Sequence, residues 1–443
     1  ILSAALKEVE NFEIEEIIKN LTEHIHEDFF AISYLRKGVV YLHGRMPDNI
    51  KEYLEHKFAS TKNIKYLVAN KVVLEGVNLP VDSLFIMNTF SLTNKDLTNL
   101  IGRVNRLNSI FSNPGKPDLL MPEVHFVNTE RFNRKDGKME RSITSLRKGI
   151  ESDVVQNPLL YEFDIEQYHP ERESAKIRDA QKIISEEIIF ESSENDPIIN
   201  LKRSMVEVGL GSIYNLAPLL CETIYSRLNT QHSNDSVIDL IYEIFIKDLN
   251  EFIIDNEFGR LTNKGTRLYY QSFLTTMHEK SFKYQINRQV AIFTARIKNP
   301  ELNSIVYLGD KLGELPSPND QKNLYVDLSK KSRVDLVNLS IAKLKIENDF
   351  IGYKLLMVIQ LLLNYEVISK DAYHHIAYGT TDENKINLIR LGLSLRIINK
   401  IDEDLQLSNL IINSNNSIVA NDTFKEYLLG LDDLTRFEIS KIL

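Results

Sequence analysis

The sequence predicts an α/β fold over residues 1–150, a parallel doubly wound sheet, followed by a large mainly α-helical region. Three observations carry this. Short apolar runs recur before residue 130, with helical spacings between them. After that point strand signals thin out and long 3.6-residue periodicities take over. A stretch rich in breakers, 312–323 with Gly313, Pro316 and Pro318, reads as a loop and subdomain boundary. The expected division is therefore 1–150, a helical extension over 151–315, and a helical C-terminal subdomain with a terminal β-hairpin over 316–443.

In order, residues 14–25 read as a helix. Val39, Val40, Tyr41 and Leu42 form a strand entered from Gly38 and left at Gly44. Residues 48–58 follow with helical spacing of Ile50, Tyr53, Leu54 and Phe58, and Asp48 is the expected N-cap. Strands are expected at 65–69 and 83–87, a helix at 94–107, and a last strand at 123–127. Helical periodicity then marks 176–190, 237–254, 336–345, 353–368 and 383–400. Near the end, apolar runs at 409–412 and 417–420 flank Asn413, Asn415 and Asn416, a hairpin signal. Beside helices it reads as a winged-helix-like module or as a generic α+β cap.

Composition narrows the classes. The 443 residues are 43% hydrophobic, ample for a core and for more than one domain. The single cysteine, Cys221, cannot form an intrachain disulfide, and its apolar neighbours make it a core residue. The net charge of -9 gives no global basic surface, so any grip on phosphate must be local. The most apolar run, 353–368, is interrupted by Gln360 and Asn364 and is shorter than the ~18 residues of a membrane span. It reads as a buried core helix, and no membrane role is expected. The start is polar by Lys7 and Glu8, without a signal-peptide pattern, so a cytoplasmic location is expected. The chain opens on Ile1 and reads as a piece of something longer. His374 and His375 have no acidic or Cys partner at ligand spacing, so no metal site is expected.

Two segments carry chemistry. In residues 68–80 a strand runs into a break at Gly76 and Pro80. Gly76 lets backbone pass close to a ligand, and Asn78 offers donor and acceptor there. Alone, this is equally an ordinary strand-to-loop connection. In residues 96–106, Leu97, Leu100, Ile101 and Val104 make an apolar helical stripe, while Asn99, Arg103 and Arg106 share another face. Gly102 inside this helix costs about 1 kcal/mol relative to Ala, so something should need its small size. Two guanidiniums one turn apart fork onto phosphate oxygens, or else form a solvated basic face.

Together these segments resemble motifs V and VI of superfamily 2 helicases of the DEAD/DEAH type. Motif V, Thr-x-x-x-x-x-Gly-Val-Asn-Leu-Pro, matches residues 70–80, and motif VI, Gln-x-x-Gly-Arg-x-Gly-Arg, matches residues 99–106. Leu42, His43, Gly44, Arg45, Met46 and Pro47 with the following helix resemble the segment that precedes motif V. The departures are Asn70 for Thr, Asn99 for Gln and Asn105 for Gly. The resemblance implies a RecA-like second ATPase domain working with ATP and Mg on DNA or RNA. It implies that Arg103 and Arg106 reach the γ-phosphate, with Arg106 as an arginine finger, a device worth ~10³–10⁵ in rate. It implies that Asn78 approaches the ATP ribose or couples ATP to nucleic acid, that Gly76, Asn99 and Gly102 lie on the nucleotide side, and that His43, Gly44 and Asn70 lie near the nucleic-acid backbone.

The family's phosphate loop and Asp-Glu-x-His lie in its first ATPase domain, and neither motif is in this sequence. The missing first domain of the same protein is therefore the expected holder of Mg-ATP. A basic stretch with Arg134, Lys135 and Lys138 reads equally as a nucleic-acid contact and as a solvated linker. The layout also resembles bacterial defence-associated helicases, such as the helicase partner of the Hachiman system, which implies a defence-system partner protein. A different class stays open: a RecA-like scaffold without turnover, favoured by the three departures and the acidic total.

Overall fold

Ile14, Ile17, Ile18 and Leu21 recur at helical spacing, and all four are buried on the first helix, α1 (Phe12–His24). The computed structural model describes residues 5–71, 81–90, 92–104, 121, 123–133, 139–148, 196–232, 236–276, 280–299, 301–317, 320–413 and 417–443. The chain divides into two compact units, residues 1–23 with 27–156, and residues 24–26 with 157–443.

In the first unit α1 is followed by α2 (Phe30–Leu35) and β1 (Val39–Leu42). Gly38 turns the chain into β1 with φ +68, and a Cβ there would lie 2.6 Å from the Asn63 carbonyl oxygen, so only glycine fits without strain. The helix α3 (Asp48–Ser60) carries the chain back to β2 (Tyr66–Ala69), which pairs parallel with β1, Val39 opposite Tyr66 and Leu42 opposite Ala69. Parallel neighbours need such a crossover. Asp48 is not the cap: Pro47 holds that position without a side-chain bond, and Asp48 is the first helical residue, 3.5 Å from Lys51. After β3 (Ser83–Ile86) comes α4 (Asn94–Ile101), and β4 (Glu123–Phe126) then pairs parallel with β3. Among the described residues of this unit the strands form two parallel pairs, and an isolated parallel bridge joins Val81 to Val104. Helix α5 (Met139–Arg147) closes the described part of this unit.

The helix expected over 94–107 stops at Ile101. Gly102 caps it, and the N–H groups of Arg103 and Val104 bond three residues back, to Leu100 and Ile101, at 3.2 and 3.0 Å. That tightening ends the helix and releases Val104 to pair with Val81. Gly102 is thus no interior glycine, and Asn99 and Arg103 do not share a continuous helical face.

The second unit is mainly helical. Its largest core gathers α6 (Pro197–Glu207), α7 (Pro218–Leu228), α8 (Val237–Phe245) and α9 (Lys264–Thr276) around buried Leu201, Ile224, Ile241 and Tyr270. Cys221 is buried and free in it, and burial raises its thiol pKa, as befits an inert core residue. The helix expected over 237–254 ends at Phe245, ahead of Asp248 in the left-handed region at φ +58.

The next helix is α10 (Phe282–Lys298). The stretch 312–323 is not a loop. β5 (Ile305–Tyr307), β6 (Leu315–Ser317) and β7 (Asp320–Asp327) form an antiparallel sheet in the order β5-β7-β6. β6 is an edge strand with register irregularities at Pro316, where a proline is tolerated. One core cluster joins Phe293, Val306 and Leu308 to Val326, Leu328, Leu336 and Ile346, from either side of residue 315.

Helix α11 (Arg333–Asp349) runs into a π-helical turn, Phe350–Leu355, and then α12 (Leu356–Asn364). Val358, Ile359, Leu361 and Leu362 of α12 are buried in the largest core, as expected for that apolar run. Around the π turn lies a buried ionic knot. Glu347 pairs with Lys343 and Arg260 and accepts the Tyr270 hydroxyl, while Lys354 bonds Asp255 at 2.6 Å and Glu257 at 2.7 Å. Burial alone would raise the Glu347 pKa, but Lys343 and Arg260 outweigh it and hold it at about 2.

After α13 (Lys370–Tyr378), the helix expected over 383–400 is two, α14 (Glu383–Arg390) and α15 (Leu395–Glu403), broken at Gly392 with φ +111. β8 (Leu410–Ile412) and β9 (Ile418–Ala420) pair antiparallel as the expected hairpin, followed by α16 (Asp422–Leu429) and α17 (Asp433–Ser440). The helical run expected over 176–190 lies outside the described residues. Among the described residues no helix is long and apolar enough to cross a membrane.

Candidate functional site

The register of β1 and β2 brings the first group of candidates together. Leu42 pairs with Ala69 at the carboxyl end of both strands, so His43 and Gly44 leave β1 beside Asn70 and Lys71 leaving β2. In open α/β sheets ligands bind outside this edge.

His43 is half-buried, and its ring stacks on Tyr41 with centroids 6.3 Å apart. Its Nδ1 accepts the Arg45 backbone N–H at 3.1 Å. Burial, and then the Arg45 charge, lower its pKa, so the ring is neutral near pH 7 and carries its proton on Nε2. That leaves one oriented donor. Gly44 is exposed, and a Cβ there would meet nothing within 4 Å. No internal packing demands glycine at this point. Asn70 is exposed at the end of β2.

The described part of motif VI, residues 99–104, begins on the last turn of α4 and runs past its end. Its N-terminus is fixed by a capping box, in which the Asp96 N–H donates to the Thr93 hydroxyl at 3.1 Å and the Thr93 N–H donates to the Asp96 carboxylate at 2.9 Å. The Thr93 N–H and hydroxyl, with Lys71 and Lys95 adding positive charge, lower the Asp96 pKa. Lys71, at the end of β2, is thus within electrostatic reach of the start of α4. Leu97 and Val104 are buried and anchor the two ends of the segment. Asn99 and Gly102 are exposed, and Arg103 is half-buried just beyond the cap. Gly76, Asn78 and Arg106 lie outside the described residues, as do Arg134, Lys135 and Lys138 of the basic stretch.

One residue of this region escaped the sequence reading. Glu55 on α3 is 8% exposed, and its Oε1 has no hydrogen-bond partner. Burial raises its pKa, Lys51 and Arg103 pull it down, and Glu52 pushes it up. No sequence signal separates it from Glu52 one turn away, because it falls at the border of the helix's apolar stripe.

Two cations, Lys71 and Arg103, and the polar side chains of His43 and Asn70 are therefore present in the first unit. Among the described residues no group of three or more His, Cys, Asp or Glu is placed to hold a metal ion. No curated protein matches the chain. Residues 13–108 match the family of the helicase conserved C-terminal domain, an interval that takes in β1, β2, α4 and the whole of motifs V and VI. Over those residues the chain carries the C-terminal domain of a superfamily 2 helicase.

Proposed function

We propose that residues 1–150 act as the second, RecA-like ATPase domain of an ATP-dependent helicase or translocase on DNA or RNA. The observation that carries this is the β1–β2 register, which sets His43, Gly44 and Asn70 side by side at the carboxyl edge within a domain that also holds Arg103 just past α4. The open space at Gly44 admits a sugar-phosphate backbone, and the His43 Nε2–H donates to it. Contacts of this kind position a strand without reading its sequence. Asn70 adds a further polar group, and Arg134, Lys135 and Lys138 extend the track.

On the nucleotide side Arg103 and Arg106 meet the γ-phosphate, with Arg106 as the finger. Gly76, Asn78, Asn99 and Gly102 shape the nucleotide's edge of this domain. ATP and Mg are held mainly by a first ATPase domain that carries the phosphate loop. Bound Mg-ATP supplies the transferable phosphoryl group and charge neutralisation; this domain's own part is to place guanidiniums where negative charge develops. The helical remainder, 151–315 and 316–443, is an extension of that motor.

The second reading is a RecA-like scaffold without turnover, favoured by Asn70, Asn99 and Asn105 at three motif positions and by the net charge of -9. ATP hydrolysis by the chain itself tests the domain content. The chain is expected to hydrolyse no ATP, with or without nucleic acid; nucleic-acid-stimulated turnover by the chain alone overturns the assignment.

A further inference from the structure

A parallel sheet is ordinarily covered on both faces, and the β1–β2 pair departs from that. Side chains alternate along a strand, so Val40 and Leu42 share one face, where both are fully buried. The other face carries Val39 and Tyr41 of β1 and, in register with them, Tyr66 and Val68 of β2. Val39 is covered there, but Tyr41 is half-buried, and Tyr66 and Val68 are 42% and 39% exposed. Helix α2 lays two more half-buried rings against Tyr41, Phe30 edge-on with centroids 5.2 Å apart and Tyr34 at 5.8 Å. His43 continues the row to the carboxyl edge, stacked on Tyr41. The charge along these strands is one-sided. Residues 29–47 and 61–71, which contain them, hold Arg36, Lys37, Arg45, Lys62, Lys65 and Lys71 and no Asp or Glu, in a chain of net charge -9.

We propose that this open face is a stacking platform for the bases of a single-stranded nucleic acid, with Tyr41 and Tyr66 as its principal rings. Sites for single strands combine rings on which bases stack with cations that follow the backbone, and both are present here. An apolar protein partner would use the rings and Val68 but not the cations, whereas a polyanion uses both. Every base has a π face, so such a platform takes any sequence. The strip from Lys65 to Lys71 is about 20 Å long at ~3.3 Å per residue, room for more than one base. The platform rests on the backbone track proposed at His43, Gly44 and Asn70, and adds the contact with bases that those residues do not make.

Fluorescence titration of the chain separates the two readings. Labelled single-stranded oligonucleotides, as DNA and as RNA, are compared with abasic strands of equal length and phosphate count at several salt concentrations. The parent is expected to prefer the base-bearing strand by about tenfold or more. Tyr66→Leu, at an exposed position that needs no repacking, and Tyr41→Leu are each expected to cut that preference about fivefold. Neither should change the slope of log affinity against log salt, because no phosphate contact is lost. Tyr66→Phe and Tyr41→Phe keep the ring and should keep the preference. Binding of base-bearing and abasic strands that agrees within about twofold overturns the platform and leaves the backbone track standing. A preference that survives in both Leu variants also overturns it and leaves the face to a protein partner. Absence of binding to either strand at low salt sinks the track and the platform together.

Discussion

His43 Nδ1 accepts the backbone N–H of Arg45 at 3.1 Å, which fixes the neutral tautomer of a ring lying at the carboxyl edge of β1. The remaining Nε2–H is the donor proposed to meet the nucleic-acid backbone. His43→Ala is expected to weaken single-strand binding about fivefold, the value of roughly one net hydrogen bond. Because burial and Arg45 lower the His43 pKa, the ring is uncharged above about pH 7, and the His43 contribution should be flat from there to about pH 9. Fluorescence titration of labelled oligonucleotides checks both statements. Equal affinity for parent and variant removes His43 from the track.

The basic stretch gives a salt-dependent prediction. Replacing Arg134, Lys135 and Lys138 by Ala should weaken binding equally for all sequences, since phosphate contacts carry no base information. It should also shallow the slope of log affinity against log salt, by about 0.7 for each single-strand phosphate that is no longer neutralised. A triple variant with the parent's affinity and slope makes this stretch a linker.

In the second unit the knot at the π turn predicts a stability change. Glu347 is 1% exposed at its side chain and pairs with Lys343 and Arg260, so Glu347→Gln leaves two largely, but not fully, covered cations short of a counter-charge. The expected cost is about 3–5 kcal/mol. The sign with pH follows from a folded pKa of about 2, below the ordinary glutamate value. This stabilisation is complete above about pH 4.3 and is lost as pH falls toward the folded pKa. Urea unfolding at several pH values checks it. Equal stability of parent and variant at neutral pH would make the knot dispensable.

Much of the first unit was legible because its signals are local. Val39 to Leu42 run with nothing polar enough to interrupt a strand, and that strand forms over those four residues. The terminal hairpin followed from asparagines between apolar runs. Errors arose where one residue competed with a periodic pattern. Leu97, Leu100, Ile101 and Val104 continue a helical stripe, yet the chain tightens at the Gly102 cap, the helix ends at Ile101 and Val104 bridges to Val81. Pro316 suggested a loop, but an edge strand has no ladder partner on its outer side and accepts it. The motifs nominated His43, Gly44, Asn70 and Arg103 as candidates, whereas no sequence signal pointed to the buried Glu55. Burial of a lone carboxylate depends on what packs against α3, and nothing in neighbouring sequence encodes that.

The proposed arginine finger is tested most directly at Arg106, which lies beyond the described residues. Nucleic-acid-stimulated ATP hydrolysis is measured for the full-length parent, Arg106→Ala and Arg106→Lys. The finger's interaction strengthens with charge in the transition state, so Arg106→Ala should cut kcat by roughly 10³-fold or more while KM changes little. Arg106→Lys should fail similarly, because a point charge does not reproduce the fork. Parental turnover in Arg106→Ala would contradict the account and leave a RecA-like domain with a solvated basic face.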